Sequence, residues 1–324
     1  EKAEQAAREQ GFKYAVDDYH KLLADPEIDV VSICTPNNLH EQMALDAIAA
    51  GKNVYIDKPL SINYESARRI ADAARAAGVK AQLALNNRFF PSTMLAHELV
   101  TSGKLGRVTS FSTEYLHSGS VDPDRPIGWK QDYDACGGGV LLDLGSHALD
   151  LVIWMCGKVD SIDCITQTLY SARPTAGGGR TSNLGEDRAL MLLQLENGAA
   201  GTVDASKIAT GTDDELKINI YLTGGAVRYS SLCGDYLDVY DSSSGAAGFT
   251  HVHCGGRYAP PGGTFIPAKN AVGWIRGHVH SYYKFLEAVA SGGECAPSLD
   301  DGAYLQLVMD KAYESNRIGG RVKV

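Results

Sequence analysis

The sequence predicts an α/β protein in which a Rossmann-type parallel sheet, incomplete on its N-terminal side, is followed by an α+β domain with a large, mainly antiparallel open sheet. Three observations predict it. Strand-length apolar runs alternate with helical patterns up to about residue 90, the grammar of right-handed βαβ units. After Phe89 the pattern changes to alternating strands paired in hairpins. The 324 residues are enough for two full cores, so two domains, over 1–90 and over 91–324, are expected.

Taken in order, EKAEQAAREQ reads as a helix closed by Gly11, Tyr19 to Ala24 as a short helix, and Asp29 to Thr35 as an apolar strand buried on both faces. Glu41 to Ala50 is a helix ended by Gly51, and Asn53 to Ile56 a strand. Ser61 to Ala77 reads as a helix with Ser61 as N-cap, Glu65 in its first turn and Gly78 past its end. Val79 to Leu85 supplies the next strand. Beyond it come a helix from Ser92 to Ser102, an alternating strand from Val108 to Tyr115, a loop rich in Pro, Asp and Gly, and a helix carrying Asp143 and His147. Arg188 to Glu196 and Ala199 to Lys207 flank an Asn-Gly turn, and Leu216 to Leu222 and Val227 to Ser231 flank Gly224-Gly225. Two late helices, Val279 to Ala290 and Asp301 to Arg317, are expected beside the antiparallel sheet. Ser171 to Gly185 and Asp241 to Gly273 read as long glycine-rich loops.

Composition narrows the function. A net charge of -9 with scattered basic residues lacks the electrostatic footprint of a nucleic-acid binder. Seven cysteines without a CxxC pair argue against a disulfide framework and a zinc cluster. No apolar run reaches the roughly 18 residues of a membrane span, and Asp150 interrupts the one at Ala148 to Cys156. The expectation is a cytoplasmic protein that binds a small molecule and no membrane. The chain opens on Glu1 inside a helical pattern, which leaves room for a removed export signal.

Two places carry candidate chemistry. Lys58 follows the strand Asn53 to Ile56 in NVYIDKPLS, and ligands of open parallel sheets bind beyond the strands' carboxyl ends. Asp143 and His147 stand four residues apart after three glycines, on one face of a helix, where a carboxylate can orient an imidazole for proton transfer. Asp150, at i+3, is the other carboxylate available to His147. His251, His253 and Cys254 could share a strand face, but they have no second ligand cluster, so no metal site is expected. His278 and His280, at the start of a late helix, are candidates for a substrate contact.

DVVSICTPNNLHEQMALDAIAAGKNVYIDKPLS and GWKQDYDACGGGVLLDLGSHALD together resemble the glucose-fructose oxidoreductase / inositol dehydrogenase (Gfo/Idh/MocA) family over nearly the whole chain. The resemblance implies an NAD- or NADP-dependent enzyme with Lys58, Asp143 and His147 as its catalytic groups. It implies that Thr35, Pro36, Asn37 and His40 line the nicotinamide side, with Asp57 and Lys58, Asn87 and Arg88, and Trp129 and Lys130 also at the cofactor. Asp57 stands where the family has glutamate, and Lys130 where it has arginine, which loses the planar fork. No GxGxxG occurs. In the family that loop precedes the helix with which this sequence opens, so the resemblance implies an enzyme whose phosphate-binding segment lies outside it.

The expected reaction is hydride transfer between a nicotinamide and a carbinol carbon of a sugar, cyclitol or glycoside. His147 takes the hydroxyl proton, Lys58 stabilises the oxygen and Asp143 orients His147 or a neighbouring hydroxyl. Two alternatives stand beside it: a glycosidase that oxidises its sugar transiently before elimination, and a non-catalytic dinucleotide sensor. The open sheet predicts a homodimer or homotetramer packed through its apolar face.

Overall fold

The computed structural model describes residues 1–258 and 273–324. In chain order its elements begin with α1 (Lys2–Gln10), α2 (His20–Leu23), β1 (Val30–Ile33), α3 (His40–Ala49), β2 (Asn53–Ile56), α4 (Tyr64–Ala77), β3 (Ala81–Leu83) and α5 (Pro91–Thr101). They continue with β4 (Val108–Leu116), α6 (Tyr133–Cys136), α7 (Ser146–Cys156), β5 (Val159–Gln167), β6 (Arg173–Pro174), β7 (Arg180–Thr181), β8 (Arg188–Leu195) and β9 (Ala200–Ser206). Last come β10 (Glu215–Leu222), β11 (Gly225–Ser230), β12 (Tyr236–Asp241), β13 (Thr250–His253), α8 (Ile275–Ser291), α9 (Leu299–Ile318) and β14 (Val322–Lys323).

The first layer is a parallel sheet in the order β1-β2-β3. β2 is central and buries Val54, Tyr55 and Ile56. β1 departs from the expectation of burial on both faces: only Ile33 is buried, because β1 is the edge strand of the described sheet. α4 also starts later than expected. Asn63 is its N-cap and accepts from Ser66 N at 2.9 Å, whereas Ser61 bonds the Ser66 hydroxyl, so an amide two residues on displaces the hydroxyl as the cap.

The second layer is a nine-stranded sheet in the order β13-β12-β11-β10-β4-β9-β8-β5-β14. It is antiparallel except where β4 and β9 run parallel. Alternation does the sorting, since Ala189, Met191, Leu193 and Leu195 of β8 face inward while Leu190 and Leu192 face out. α7 fills the inner side with Leu149, Leu151, Val152 and Met155. The helical stretch Tyr133–Cys156 is apolar and long enough to cross a membrane, but 83% of its apolar window is buried inside the protein, as a core helix requires.

The late helices correct another expectation. α8 does not lie on the antiparallel sheet; it returns to the parallel one. There Tyr55 and Ser281 share a hydroxyl hydrogen bond of 2.7 Å, and Gln82 Nε2 donates to Ser281 O at 3.0 Å. α9 joins the layers. Its Asp310 accepts from Tyr64 N at 2.7 Å, and its Ser315 Oγ accepts from Cys164 N of β5 at 2.9 Å. Of the two loops read as unstructured, 171–185 contains the small β6-β7 ladder. The other holds β13 and then runs into 259–272, which lie outside the described residues.

Candidate active site

The site forms where the carboxyl ends of β1, β2 and β3 face the start of α7. Before α7, the three glycines let the chain pass where no side chain could. A Cβ on Gly138 would stand 2.2 Å from the Tyr313 hydroxyl, and one on Gly139 2.2 Å from Glu186 O. Glu186 is held in this packing: its Oε1 accepts from Leu141 N and from the Tyr313 hydroxyl, each at 2.9 Å. The next turn, Leu141–Gly145, is a π-helix rather than an α-helix. Such widened turns recur at functional sites, and this one breaks the i, i+4 register that the sequence implied for Asp143 and His147.

The consequence is a different set of partners. Asp143 does not hydrogen-bond His147; it is held by three lysines. Lys58 Nζ donates to its backbone carbonyl and, at 2.8 Å, to Oδ1. Lys130 Nζ reaches Oδ1 at 3.0 Å and Lys207 Nζ reaches Oδ2 at 2.8 Å. Burial raises the Asp143 pKa, but Lys58, Lys207 and Lys130 outweigh it and hold the carboxyl well below its usual range. Lys207 was not anticipated. Its signal was available, since alternation along β9 puts Val203 and Ala205 inward and Lys207, just past the strand's end, in the same phase.

His147 is buried, and burial, helped by Lys58, depresses its pKa well below 6.5 despite nearby Asp143. The imidazole is therefore neutral near pH 7. Its Nδ1 is sealed from solvent with no partner among the described residues, which leaves Nε2 to exchange a proton with a bound molecule. Asp150, the other carboxylate weighed for His147, is taken by Arg88 in a bidentate pair with Nε to Oδ2 at 2.9 Å. Arg88, expected at the cofactor, is thus a buried strut. It lies 5.4 Å from the Trp154 ring centroid, and Trp154 stacks on His97.

The remaining predicted residues divide the same way. His40 is fully buried between Thr35 O and Pro59 O, 3.0 Å from each, and fixes the two strand ends against each other. Asn37 donates to Cys136 O at 2.9 Å, tying the loop that begins at Pro36 to the glycine turn. Asp57, Lys58, Asn87, Lys130, Asp143 and His147 line one cavity of about 360 Å³, together with Tyr115 and His278. Trp129 is half-exposed at its edge, 5.7 Å from Lys130 Nζ. His278, one of the two late histidines, faces this space, whereas His280 lies 3.1 Å from Phe89 O in the core. His251 pairs with Asp238 and stacks on Tyr236.

A nicotinamide fits this crevice. Thr35 Oγ1, at the end of β1, is buried with no partner among the described residues, a polar atom that costs stability unless a bound group completes it. The Asp57 carboxylate opens into the cavity beside Lys58.

Residues 1–85 match the oxidoreductase family with an NAD-binding Rossmann fold, and residues 93–228 match the GFO/IDH/MocA C-terminal domain. Levoglucosan dehydrogenase of Pseudarthrobacter phenanthrenivorans is 31% identical over 331 residues, covering 97% of this chain and 85% of that protein. The scyllo-inositol 2-dehydrogenase (NAD(+)) of Bacillus subtilis is 26% identical, covering 74% of this chain and 66% of its own length. A solved levoglucosan dehydrogenase in complex with NADH and levoglucosan superimposes with a TM-score of 0.94 at 30% identity, over 99% of this chain and 87% of that one.

Proposed function

We propose, for a chain that belongs to the Gfo/Idh/MocA family of NAD-dependent oxidoreductases, that it oxidises a secondary hydroxyl of a sugar, cyclitol or glycoside at the cavity shared by Lys58, Asp143 and His147. The observation that carries the residue assignment is that a neutral, buried imidazole lines one cavity with a carboxylate held ionised by three lysines.

When bound, the nicotinamide ring supplies the hydride acceptor. His147 accepts the hydroxyl proton at Nε2, which its low pKa leaves free at neutral pH. The Lys58 ammonium steadies negative charge as it develops on the same oxygen. Asp143 acts on the lysines, not on His147: it anchors the three ammonium groups, and Lys58 is held in place from two of its oxygens. Asp57, Asn87 and Trp129 position the cofactor and the sugar around this centre. Arg88 and His40 support the walls.

The same proposal places the functional division near residue 90, with α8 and α9 returning to the first layer, and a homo-oligomer at the outer face of the large sheet. There Ile165 is 69% exposed beside Leu190 and Leu192. Seven unpaired thiols support a cytoplasmic setting.

The test is nicotinamide reduction by the purified full-length protein across a panel of sugars, inositols and glycosides, each also assayed for aglycone release. Net NADH or NADPH formation that disappears in Lys58→Ala is the expected result. Aglycone release without net reduction would replace the dehydrogenase by a redox glycosidase acting through the same residues.

A further inference from the structure

On the far side of Lys130 and Asp143 from the strand ends, a second and larger cleft opens. It encloses about 640 Å³, a ligand-sized space, and is walled by His117, Arg125, Trp129, Lys130, Gln131 and Lys207. His117, Lys130 and Asp143 border both spaces, so the cleft continues the cavity just described. No residue before His117 lines it. It is therefore a space of the substrate side, apart from the β1–β3 ends where a dinucleotide lies.

The two spaces differ in charge. Around the first, Lys58 and Lys130 face Asp57, Asp143 and Asp214. Around the second, Arg125, Lys130 and Lys207 face Asp143 alone, and Lys58 also pairs with that carboxylate. On a chain of net charge -9 this is a local concentration of cations and not a general basicity. Arg125 donates from Nη1 to Gly119 O at 3.0 Å, and among the described residues it makes no ion pair, so the rest of its guanidinium fork is open to an anion. His117 accepts from Gly119 N at Nδ1, 2.9 Å away, which puts the proton of its neutral ring on Nε2 as a further donor. Trp129, 38% exposed, offers an aromatic face at the rim.

We propose that this cleft is a subsite for the second ring of a two-ring substrate, and that it selects a ring carrying an anionic group, a carboxylate or a phosphate, recognised by Arg125 with Lys130 and Lys207. The proposal rests on the dehydrogenase reading only in seating the first ring beside Lys58 and His147.

The experiment titrates the NADH-loaded full-length protein by calorimetry with cellobiose, with cellobiouronic acid, and with cellobiose carrying a phosphate ester on the same distal ring. An acidic disaccharide is expected to bind about tenfold or more tighter than cellobiose. That margin should shrink in about 1 M salt, where the Debye length falls to ~3 Å, vanish in Arg125→Ala, and return in part in Arg125→Lys. Arg125→Ala should leave turnover of single-ring sugars unchanged. Which acidic form binds tighter identifies carboxylate or phosphate as the natural group. Equal or undetectable binding of all three, or a preference untouched by Arg125→Ala, overturns the proposal. Oxidation of single-ring sugars without any acidic preference removes the subsite and leaves the dehydrogenase. An acidic preference in a chain that oxidises nothing does the reverse.

Discussion

Asp143 and Asp150 lie seven positions apart at the start and middle of one helical segment, and each meets a cation delivered from a parallel strand's carboxyl end. Their fates differ. Asp150 has one partner, Arg88, in a matched bidentate pair, and burial still pushes its pKa upward against that guanidinium. Asp143 has three ammonium partners, stays ionised and opens into a cavity. One carboxylate closes its circuit of hydrogen bonds and becomes a strut. The other leaves surplus positive charge facing a space that a substrate can enter, which is what a site for developing negative charge requires.

The largest effects should separate these two roles. Arg88→Ala leaves Asp150 buried without its cation and should cost about 3–5 kcal/mol of stability, while the molecules that remain folded keep their turnover. Lys58→Ala should show the opposite: a loss of about 10²–10⁴ in kcat with little change in melting temperature, since Lys130 and Lys207 still hold Asp143. Denaturant unfolding and steady-state kinetics on both variants check this, and the contrast fails if Arg88→Ala abolishes turnover in a stably folded protein.

Next in size, Gly139→Ala forces a Cβ onto the Glu186 backbone. It should destabilise by about 1–3 kcal/mol and lower kcat by shifting the π turn that presents Asp143; a variant with native kinetics would show that the turn's position is not critical.

A smaller effect is the pH response. The folded pKa of His147 lies below its ordinary 6.5, so as pH falls below 6.5 the unfolded chain takes up a proton that the native state refuses. Its contribution to stability is complete above 6.5 and is lost below it. Asp143, depressed below 3.8, contributes above that value and loses its share as pH falls toward its folded pKa. Turnover should accordingly stay flat from pH 7 to 6.5, with an acid limb well below 6.5, and a limb at or above that value would sink the assignment of a neutral His147. The smallest change expected is in Lys130→Met. Lys130 is half-exposed and its pair should be worth about 1 kcal/mol or less, so this variant should melt within a few degrees of the parent by calorimetry.

Elements set by local rules could be read from the sequence. The strand Asn53–Ile56 matches residue for residue, and the β8–β9 hairpin follows from alternation around its Asn-Gly turn. Lys58, Asp143 and His147 do converge on one cavity. What could not be read depends on contacts made across the chain. The π turn leaves no trace in hydrophobic periodicity, so the sequence offers His147 or a neighbouring hydroxyl to Asp143, whereas the structure sets three lysines against it. For Arg88, nothing local in the sequence shows its bidentate pair with Asp150. Lys207 was detectable in principle, as a lysine in the inward phase of a strand, but only its distant partner gives that phase a meaning.

The path of α8 has a consequence for how such chains can be recombined. The back wall of the parallel sheet, where Ser281 meets Tyr55 and Gln82, is encoded after the entire large sheet. A single genetic crossover near residue 90 would join one parent's strands to the other parent's wall, so a working chimera needs two exchange points, the second ahead of α8, to inherit the nucleotide-side layer as one piece.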